Sequence, residues 1–447
     1  MHDVVRAMAF MQFGSGYNVV VISAAVLVWD SEGELFTWTT DVLDGSVFLG
    51  LVVGTLALGN YADVTGRLAA QRLSCWLAVA GCALSACAYP EHGRYVEIAC
   101  FRFVLGVGAG GGAPIAAAYT YEFLRAEARA AGDGPAAKSG GAPARAAGSM
   151  DLYNFVGQMV AYLVAAAILA TSMPFGVRWR LLLGLGAAPF LVSLFLTRNA
   201  DESPAFGALE PARRRPTRAG GFLATLQSRD PKGYGKLVDL VVVLFCFQLV
   251  SYGMLLLQPE IVQEALPDTS SDKDVLLILA GLSFVGICAV LASLPFLQQR
   301  GALPSLEASL IFAALAAWAF ALGLGLTSSS PALLVLCFVS RFAVNAPASA
   351  AFAASTILFP TEVRATANGV VVAAGKLGGL VGTLCFEYVA VATGNAALLA
   401  ICATFLVIGA AFTHKLAGDA DLFADDLDAP DGDVETKRLR PGERLLV

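Results

Sequence analysis

Charge is scarce in this chain. Asp, Glu, Lys and Arg make up 14% of its 447 residues, against 57% hydrophobic residues and a mean hydropathy of +0.69. Soluble domains carry about 25% charged residues, so two ordinary soluble domains and a large water-soluble catalytic domain are both excluded. Histidine is almost missing: His2, His92 and His414 are the three, all at expected membrane edges, which excludes a histidine proton relay through a bilayer. The nine cysteines, Cys75 to Cys402, lie in apolar stretches with no CxxC pair and no nearby histidine. They read as small buried hydrophobes, not metal ligands or disulfides. No nucleophile and base pair is visible, so neither an enzyme nor a cofactor or metal is expected. Nucleic acid is not an expected partner, and the chain is expected to work in membrane lipid as a monomer.

What is present is apolar sequence. Stretches at 5–29, 40–61, 70–89, 95–121, 150–171, 179–197, 236–257, 274–297, 305–327, 331–358, 366–391 and 394–414 are each long enough, at about 20 residues, to span a bilayer. The reading is an all-α membrane protein of 12 transmembrane helices, with the first retained and not cleaved as a signal peptide. Six spans (1–197) precede a polar linker (198–235) that holds Arg213, Arg214, Arg215, Arg218, Arg229 and Lys232, and six more follow (236–414). Basic residues crowd alternate connections, among them Arg67, Arg72, Arg125, Arg129, Lys138 and Arg300, while the opposite side holds only Arg94, Arg178, Arg180 and Lys273. Both termini are therefore expected to be cytoplasmic. The tail 415–447, acidic and then basic, is expected to be disordered. Between spans four and five ARAAG occurs twice, at 128–132 and 144–148, around a Gly/Ala/Pro filler. A flexible loop over 128–148 is expected there.

The two halves repeat one another. Span four opens on Arg102-Phe103 and reaches Arg125, and span ten opens on Arg341-Phe342 and reaches Arg364, 23 residues in each case. Each has a proline inside its small-residue helix, Pro114 or Pro347 at different depths, and ends near an acid, Glu122 or Glu362, which indicates a pseudo-two-fold. Arg102 and Arg341 either line the entrance of a cavity and steer anions or snorkel to the interface. Lys376 lies 12 residues after Arg364, about 18 Å along a helix, and so near the middle of a roughly 30 Å apolar core. A lysine there is costly unless it faces a wet cavity, where a cation calls for an anionic ligand. Asn18, Asn345 and Asn368 are polar residues in apolar runs, and Asn18 is the one expected in the cavity.

The turn after span two reads GNYADVTGR, with Gly59, Asp63, Gly66 and Arg67. At that place it resembles the signature loop of the major facilitator superfamily. RFVLGVGAGGGAP in span four, Glu122 at its end and DESP (Asp201 to Pro204) after span six extend the resemblance over essentially the whole chain. It implies the major facilitator fold, two pseudo-symmetric six-helix bundles around a central site with alternating access. Asp63, Gly66, Arg67, Glu122 and Glu202 would latch the cytoplasmic side of the N-terminal half, and Gly106, Gly108 and Gly110 would allow close helix approach. The equivalent loop after span eight, LQQRGALP, keeps Arg300 and Gly301 without an Asp, so a second latch would be weaker or built differently.

Within the superfamily, FQLVSYGMLLLQPEI in span seven and RATANGVVVAAGKLGGLVG in span eleven resemble the phosphate:proton symporters. That resemblance makes Lys376, Tyr252 and Asn154 ligands of a small anionic solute such as phosphate, with Gln158 one turn beyond Asn154 and Gln248 where the family has a carboxylate. Gly112-Ala113 stands in place of the family's Asp-Tyr, Asn18 at its first-span aspartate, and Ala348 and Ile357 at its Asn and Glu in span ten. Amides do not titrate, and Asp44, Glu97, Asp151, Asp239 and Glu387 are all expected near membrane edges. Protons are the family's coupling ion, but no interior carboxylate for them is expected here. An organic-ion or sugar carrier, or a transport-inactive receptor or scaffold, fits the same general motifs. The plasma membrane is the default location, with an organelle membrane as the alternative.

Overall fold

Apolar runs in lipid satisfy their backbone groups only by forming helices or closed barrels. The computed structural model describes residues 3–30, 37–88, 94–130, 141–209, 221–265, 272–326 and 330–419, and among them every regular element is a helix. In chain order the helices are α1 (Asp3–Asp30), α2 (Thr37–Thr65), α3 (Arg67–Cys87), α4 (Arg94–Gly110), α5 (Gly112–Ala130), α6 (Gly141–Leu169), α7 (Phe175–Leu185) and α8 (Ala188–Leu196). The short α9 (Pro204–Gly207) and α10 (Gly221–Arg229) follow within the linker. Then come α11 (Gly233–Ala265), α12 (Asp272–Arg300), α13 (Ala302–Leu326), α14 (Ser330–Asn345), α15 (Pro347–Ile357), α16 (Arg364–Thr393) and α17 (Asn395–Asp419). They supply 12 helices or helix pairs long and apolar enough to span a membrane.

Three spans are broken into two helices: span four at Gly111, span six at Gly186-Ala187 and span ten at Ala346. The breaks in four and ten fall in corresponding spans, nine residues after Arg102 and five after Arg341, and arise differently. Pro347 starts α15 without a backbone donor, and the Ala346 N–H is shared between the carbonyls of Phe342 and Ala343 at 3.2 and 3.3 Å, a tightened turn. In span four the glycine run itself interrupts the helix, with Pro114 already inside α5.

In the N-terminal half α1 packs on α6, and α2 and α3 on α4; in the C-terminal half α11 packs on α16 and α13 on α17. Two seams join the halves, α2 against α16 and α6 against α12. Without a hydrophobic driving force in lipid, such seams depend on close approach. A Cβ on Gly54 would lie 2.0 Å from the Val107 carbonyl oxygen, and one on Gly106 2.4 Å from that of Val47, so α2 and α4 meet at their backbones.

The expected loop over 128–148 is corrected. The first ARAAG begins in the last turn of α5, residues 131–140 lie outside the described residues, and the second copy is the opening of α6, nine residues ahead of the expected start at 150. Alanine is the best helix former, and the small side chains let this turn press on the other half. Ala144 and Ala147 are buried, and a Cβ on Gly148 would meet the Ser349 carbonyl at 2.6 Å. Arg145 within the same string donates to Gln298 Oε1 at 2.8 Å. The last helix runs to Asp419, five residues past the expected 414. The rest of the tail, 420–447, and the linker arginines 213–218 lie outside the described residues.

Gly54→Val forces α2 and α4 apart and is expected to destabilise the protein by about 1–3 kcal/mol or more, seen as a lower melting temperature in detergent. Gly281→Ala, which adds a methyl where nothing lies within 4 Å, should leave the melting temperature within error of the wild type.

Candidate functional site

The linker side of the bundle is closed by a charged network. The α2–α3 turn bends at Gly66, whose φ of 114° belongs to glycine, and a Cβ there would also lie 2.3 Å from Glu202 Oε2. Glu202 Oε2 accepts from the Leu68 N–H at 3.1 Å, at the start of α3. The turn delivers Arg67, which is fully buried. Its Nη1 donates to Asp63 Oδ1 at 2.7 Å and its Nη2 to Glu122 Oε1 and the Thr361 carbonyl, both at 2.9 Å. Glu122 Oε1 also receives Arg364 Nη1 at 2.9 Å, and Ser203 of the DESP segment donates to Glu122 Oε2. Asp63 accepts from the backbone N–H groups of Ala365 and Thr366 at 3.2 and 2.6 Å, so a carboxylate of one half caps a helix of the other.

All five residues expected to latch the N-terminal half meet here, and the network reaches further than expected. Thr361, Arg364, Ala365 and Thr366 of the other half are part of it. Two arginines face two carboxylates, so the buried charges balance. The other half has its own arrangement. Gly301 keeps a positive φ of 88°, but Arg300 merely lies over the Phe296 ring, 5.6 Å from its centroid. Glu362, the counterpart of Glu122, is instead held from the linker, by Arg229 Nη2 at 2.7 Å and Nε at 3.1 Å. A bidentate guanidinium from α10 thus answers Glu362 in the role that Arg67 plays for Glu122, which Arg300 does not fill.

Between the halves lies a cavity whose polar lining comes from α1, α6, α11, α14 and α16, with small and apolar residues of α2, α4, α5 and α15 completing the wall. It offers about 60 Å³ to the centres of water-sized occupants, room for a handful of atoms when a single water takes about 10–15 Å³. Lys376 on α16 and Tyr252 on α11 meet in it: Lys376 Nζ donates to the Tyr252 hydroxyl at 2.5 Å and lies 4.5 Å from the ring centroid. The tyrosine is braced edge-on by Phe48 at 5.1 Å. The two glycines flanking Lys376 make the room. A Cβ on Gly375 would lie 2.8 Å from the Gln248 amide carbon and one on Gly379 2.9 Å from the Tyr252 ring, so the GKLGG string fits its helix around the two side chains. Asn154 and Gln158 line the same space one turn apart on α6, joined by a 2.8 Å bond from Gln158 Nε2 to Asn154 Oδ1. The Oε1 atoms of Gln158 and Gln248 have no partner.

Of the six residues expected at the ligand, Lys376, Tyr252, Asn154, Gln158 and Gln248 line the cavity and Asn18 does not. The Asn18 amide is spent on the fold. Its Nδ2 donates to the carbonyls of Gly14 and Gly186 at 2.9 and 3.0 Å, bracing the break in span six, while Arg102 donates to its backbone carbonyl and, at 3.4 Å, to its Oδ1. Arg102 is therefore neither an entrance residue nor a snorkelling one.

Two cavity residues were read differently from the sequence. Arg341, expected at an entrance or at the interface, is 4% exposed, lines the cavity, and has Nε and Nη1 without a hydrogen-bond partner among the described residues. Asp151, placed near a membrane edge in the sequence reading, lines the cavity and interacts electrostatically with Lys376. Asp151 lies deeper than expected because α6 begins at Gly141, nine residues ahead of the expected span, whereas α14 begins at Ser330, so Arg341 stands 11 residues inside its helix and not at an edge. The repeat in the sequence does not separate Arg341 from Arg102; the structure does, since Arg102 donates to the Asn18 carbonyl while Arg341 Nε and Nη1 find no acceptor among the described residues.

The closed face, the broken fourth and tenth spans and the charged central cavity together define a membrane transporter of two six-helix halves. The profile of the Major Facilitator Superfamily matches residues 7–383, and the chain belongs to that superfamily. The inorganic phosphate transporter PT2 of Toxoplasma gondii is 30% identical over 401 residues, 88% of this chain and 67% of that one. Myo-inositol transporter 2 of Cryptococcus neoformans is 32% identical over 198 residues, but this covers 44% of the chain and 32% of that transporter. Among solved structures, the proton:xylose symporter XylE bound to 6-bromo-6-deoxy-D-glucose has a TM-score of 0.74 at 18% identity, covering 92% of this chain and 95% of the other. That likeness is one of fold.

Glu122→Gln removes the carboxylate that Arg67 and Arg364 share. Breaking one partner of a buried ion pair costs about 3–5 kcal/mol, so the expected result is a marked fall in melting temperature. Faster thiol labelling of a Cys introduced at Thr361 should accompany it as the linker face opens. Unchanged stability and labelling would show that the network is incidental to closure.

Proposed function

We propose that the chain transports inorganic phosphate or a closely related small oxyanion by alternating access, with the linker face toward the cytoplasm. The observation that carries this reading is the pairing of Lys376 with Arg341 in one small cavity. A buried guanidinium with unmet donors costs free energy until a ligand or water accepts from it, and an oxyanion accepts from guanidinium and ammonium together in charge-assisted bonds. Tyr252, whose oxygen already accepts from Lys376, keeps its own proton to donate. The unpartnered amide oxygens of Gln158 and Gln248 suit the hydroxyl of a protonated oxyanion, which distinguishes hydrogen phosphate from an anion with no proton to give.

The length and identity of the match to a transporter named for inorganic phosphate support the same reading. The shorter similarity to a carrier named for inositol keeps a polyol as the competing substrate, but a neutral polyol has no use for two cations. A transport-inactive receptor shares the cavity and differs only in flux.

In proteoliposomes the wild type should take up labelled phosphate, with no competition from excess myo-inositol or xylose. Lys376→Ala should raise the concentration for half-maximal uptake by about tenfold or more, the equivalent of one charge-assisted bond, and Arg341→Ala should do the same. Uptake that Lys376→Ala leaves untouched, or that inositol suppresses, sinks the proposal. Tight phosphate binding without uptake would favour the receptor.

A further inference from the structure

The amides Gln248, Asn154 and Gln158 that line the cavity do not titrate, yet the cavity is not without an acid. Asp151 lies on α6 one turn before Asn154, on the same face, among the lining residues. Among the described residues it has no hydrogen-bond or ion-pair partner within bonding distance, although Lys376 acts on its charge across the space. A carboxylate with no partner, close to a lysine that is hydrogen-bonded to a tyrosine, is not there to hold two helices together.

Charge counting gives it a role. The ionisable lining groups facing Asp151 are Lys376 from α16, Arg341 from α14 and Tyr252 from α11; the polar residues of α1 there are Gln12 and Ser15, and α2, α4, α5 and α15 bring only apolar residues and glycine. With Asp151 ionised, two cations and one carboxylate leave the empty cavity with a single positive charge, which a monoanion cancels. With Asp151 protonated, the cavity carries two positive charges, which a dianion cancels. Residual charge in a low-dielectric space is costly, so the favoured loaded states are the monoanion with ionised Asp151 and the dianion with protonated Asp151.

We propose that Asp151 is the proton-accepting residue of the anion site, taking up a proton when a divalent oxyanion binds between Lys376 and Arg341. The proposal rests on the anion reading above and adds to it where the proton goes. The only covalent bond formed is the carboxyl O–H; the bond broken is that of a hydronium or buffer acid in the solution, whose conjugate base stays there. Loading by hydrogen phosphate dianion then gives an electrically neutral site, and releasing the proton with the anion restores the empty one.

The test uses purified full-length protein and inorganic phosphate at mildly alkaline pH, where phosphate is chiefly the dianion. Titration calorimetry in buffers of different ionisation heat counts the protons taken up on binding. Wild type should take up roughly one proton per phosphate bound, and its affinity should rise as the pH is lowered. Asp151→Asn should take up none and should bind the dianion about tenfold more tightly than wild type, an ordinary size for coupling between two sites. Asp151→Glu should restore the uptake, which separates titration from a merely structural part. Phosphate can itself accept the proton on binding, and in that case Asp151→Asn keeps the full proton uptake and the proposal is overturned. Affinity that does not rise in Asp151→Asn also overturns it. Wild-type protein that binds no phosphate, while still giving the native melting transition, brings down the anion reading and this inference with it.

Discussion

The structure hangs on a single carboxylate. Glu122, fully buried near the end of α5, receives Arg67 from its own half and Arg364 from the other, each at 2.9 Å. A lone carboxylate there would carry a desolvation cost of several kcal/mol, and one guanidinium already has Asp63 to answer it. The arrangement closes only with four charges, two of each sign, drawn from both halves. The linker face is thereby shut by groups that cannot part without exposing one another. The tight Gly66 turn, the DESP segment and the N-terminus of α16 all exist to aim atoms into this point.

The same accounting run at the cavity comes out differently. There the two cations, Arg341 and Lys376, are answered by one carboxylate and several amides, so the sum is left open. One protein thus holds a saturated charged cluster at its closed face and an unsaturated one at its centre, about 18 Å apart along α16 by the rise of a helix. In the proposed cycle an anion completes the central sum, and neutralising the cavity removes the charge that keeps the two halves from closing over it. The two clusters are joined by one element, since α16 carries Arg364 at its first turn and Lys376 three turns later.

Much of this was legible in the residues. Twelve apolar runs gave twelve spans because a bilayer leaves the backbone few alternatives, and Lys376 stood out because a charge at mid-membrane is rare without a purpose. The latch residues were legible as a motif, but not their partners, because a motif is local and Asp63 caps a helix some three hundred positions away. Asn18 was misjudged because polarity in an apolar run marks either a ligand or a brace, and only the break at Gly186 shows which. The second ARAAG reads as loop because its small residues look like filler. At a helix seam smallness is what packing requires, and Gly148 against Ser349 shows it.

Arg102 and Arg341 carry the last step. The repeat places them alike, each opening the same span of its half, and a sequence has no means of telling them apart. What differs is the helix across from each. Span one offers Arg102 the Asn18 carbonyl and amide, so its charge is spent on packing. The cavity wall opposite Arg341 offers neither, and its Nε and Nη1 stay unmet. Duplication followed by divergence at the partner, with the arginine itself unchanged, would turn a structural residue into a ligand-binding one without altering the half that contains it. The pseudo-symmetric bundle then has one arginine spent on packing and one that, in the proposed cycle, meets the solute, and the asymmetry follows from acceptors present beside Arg102 and absent beside Nε and Nη1 of Arg341 among the described residues.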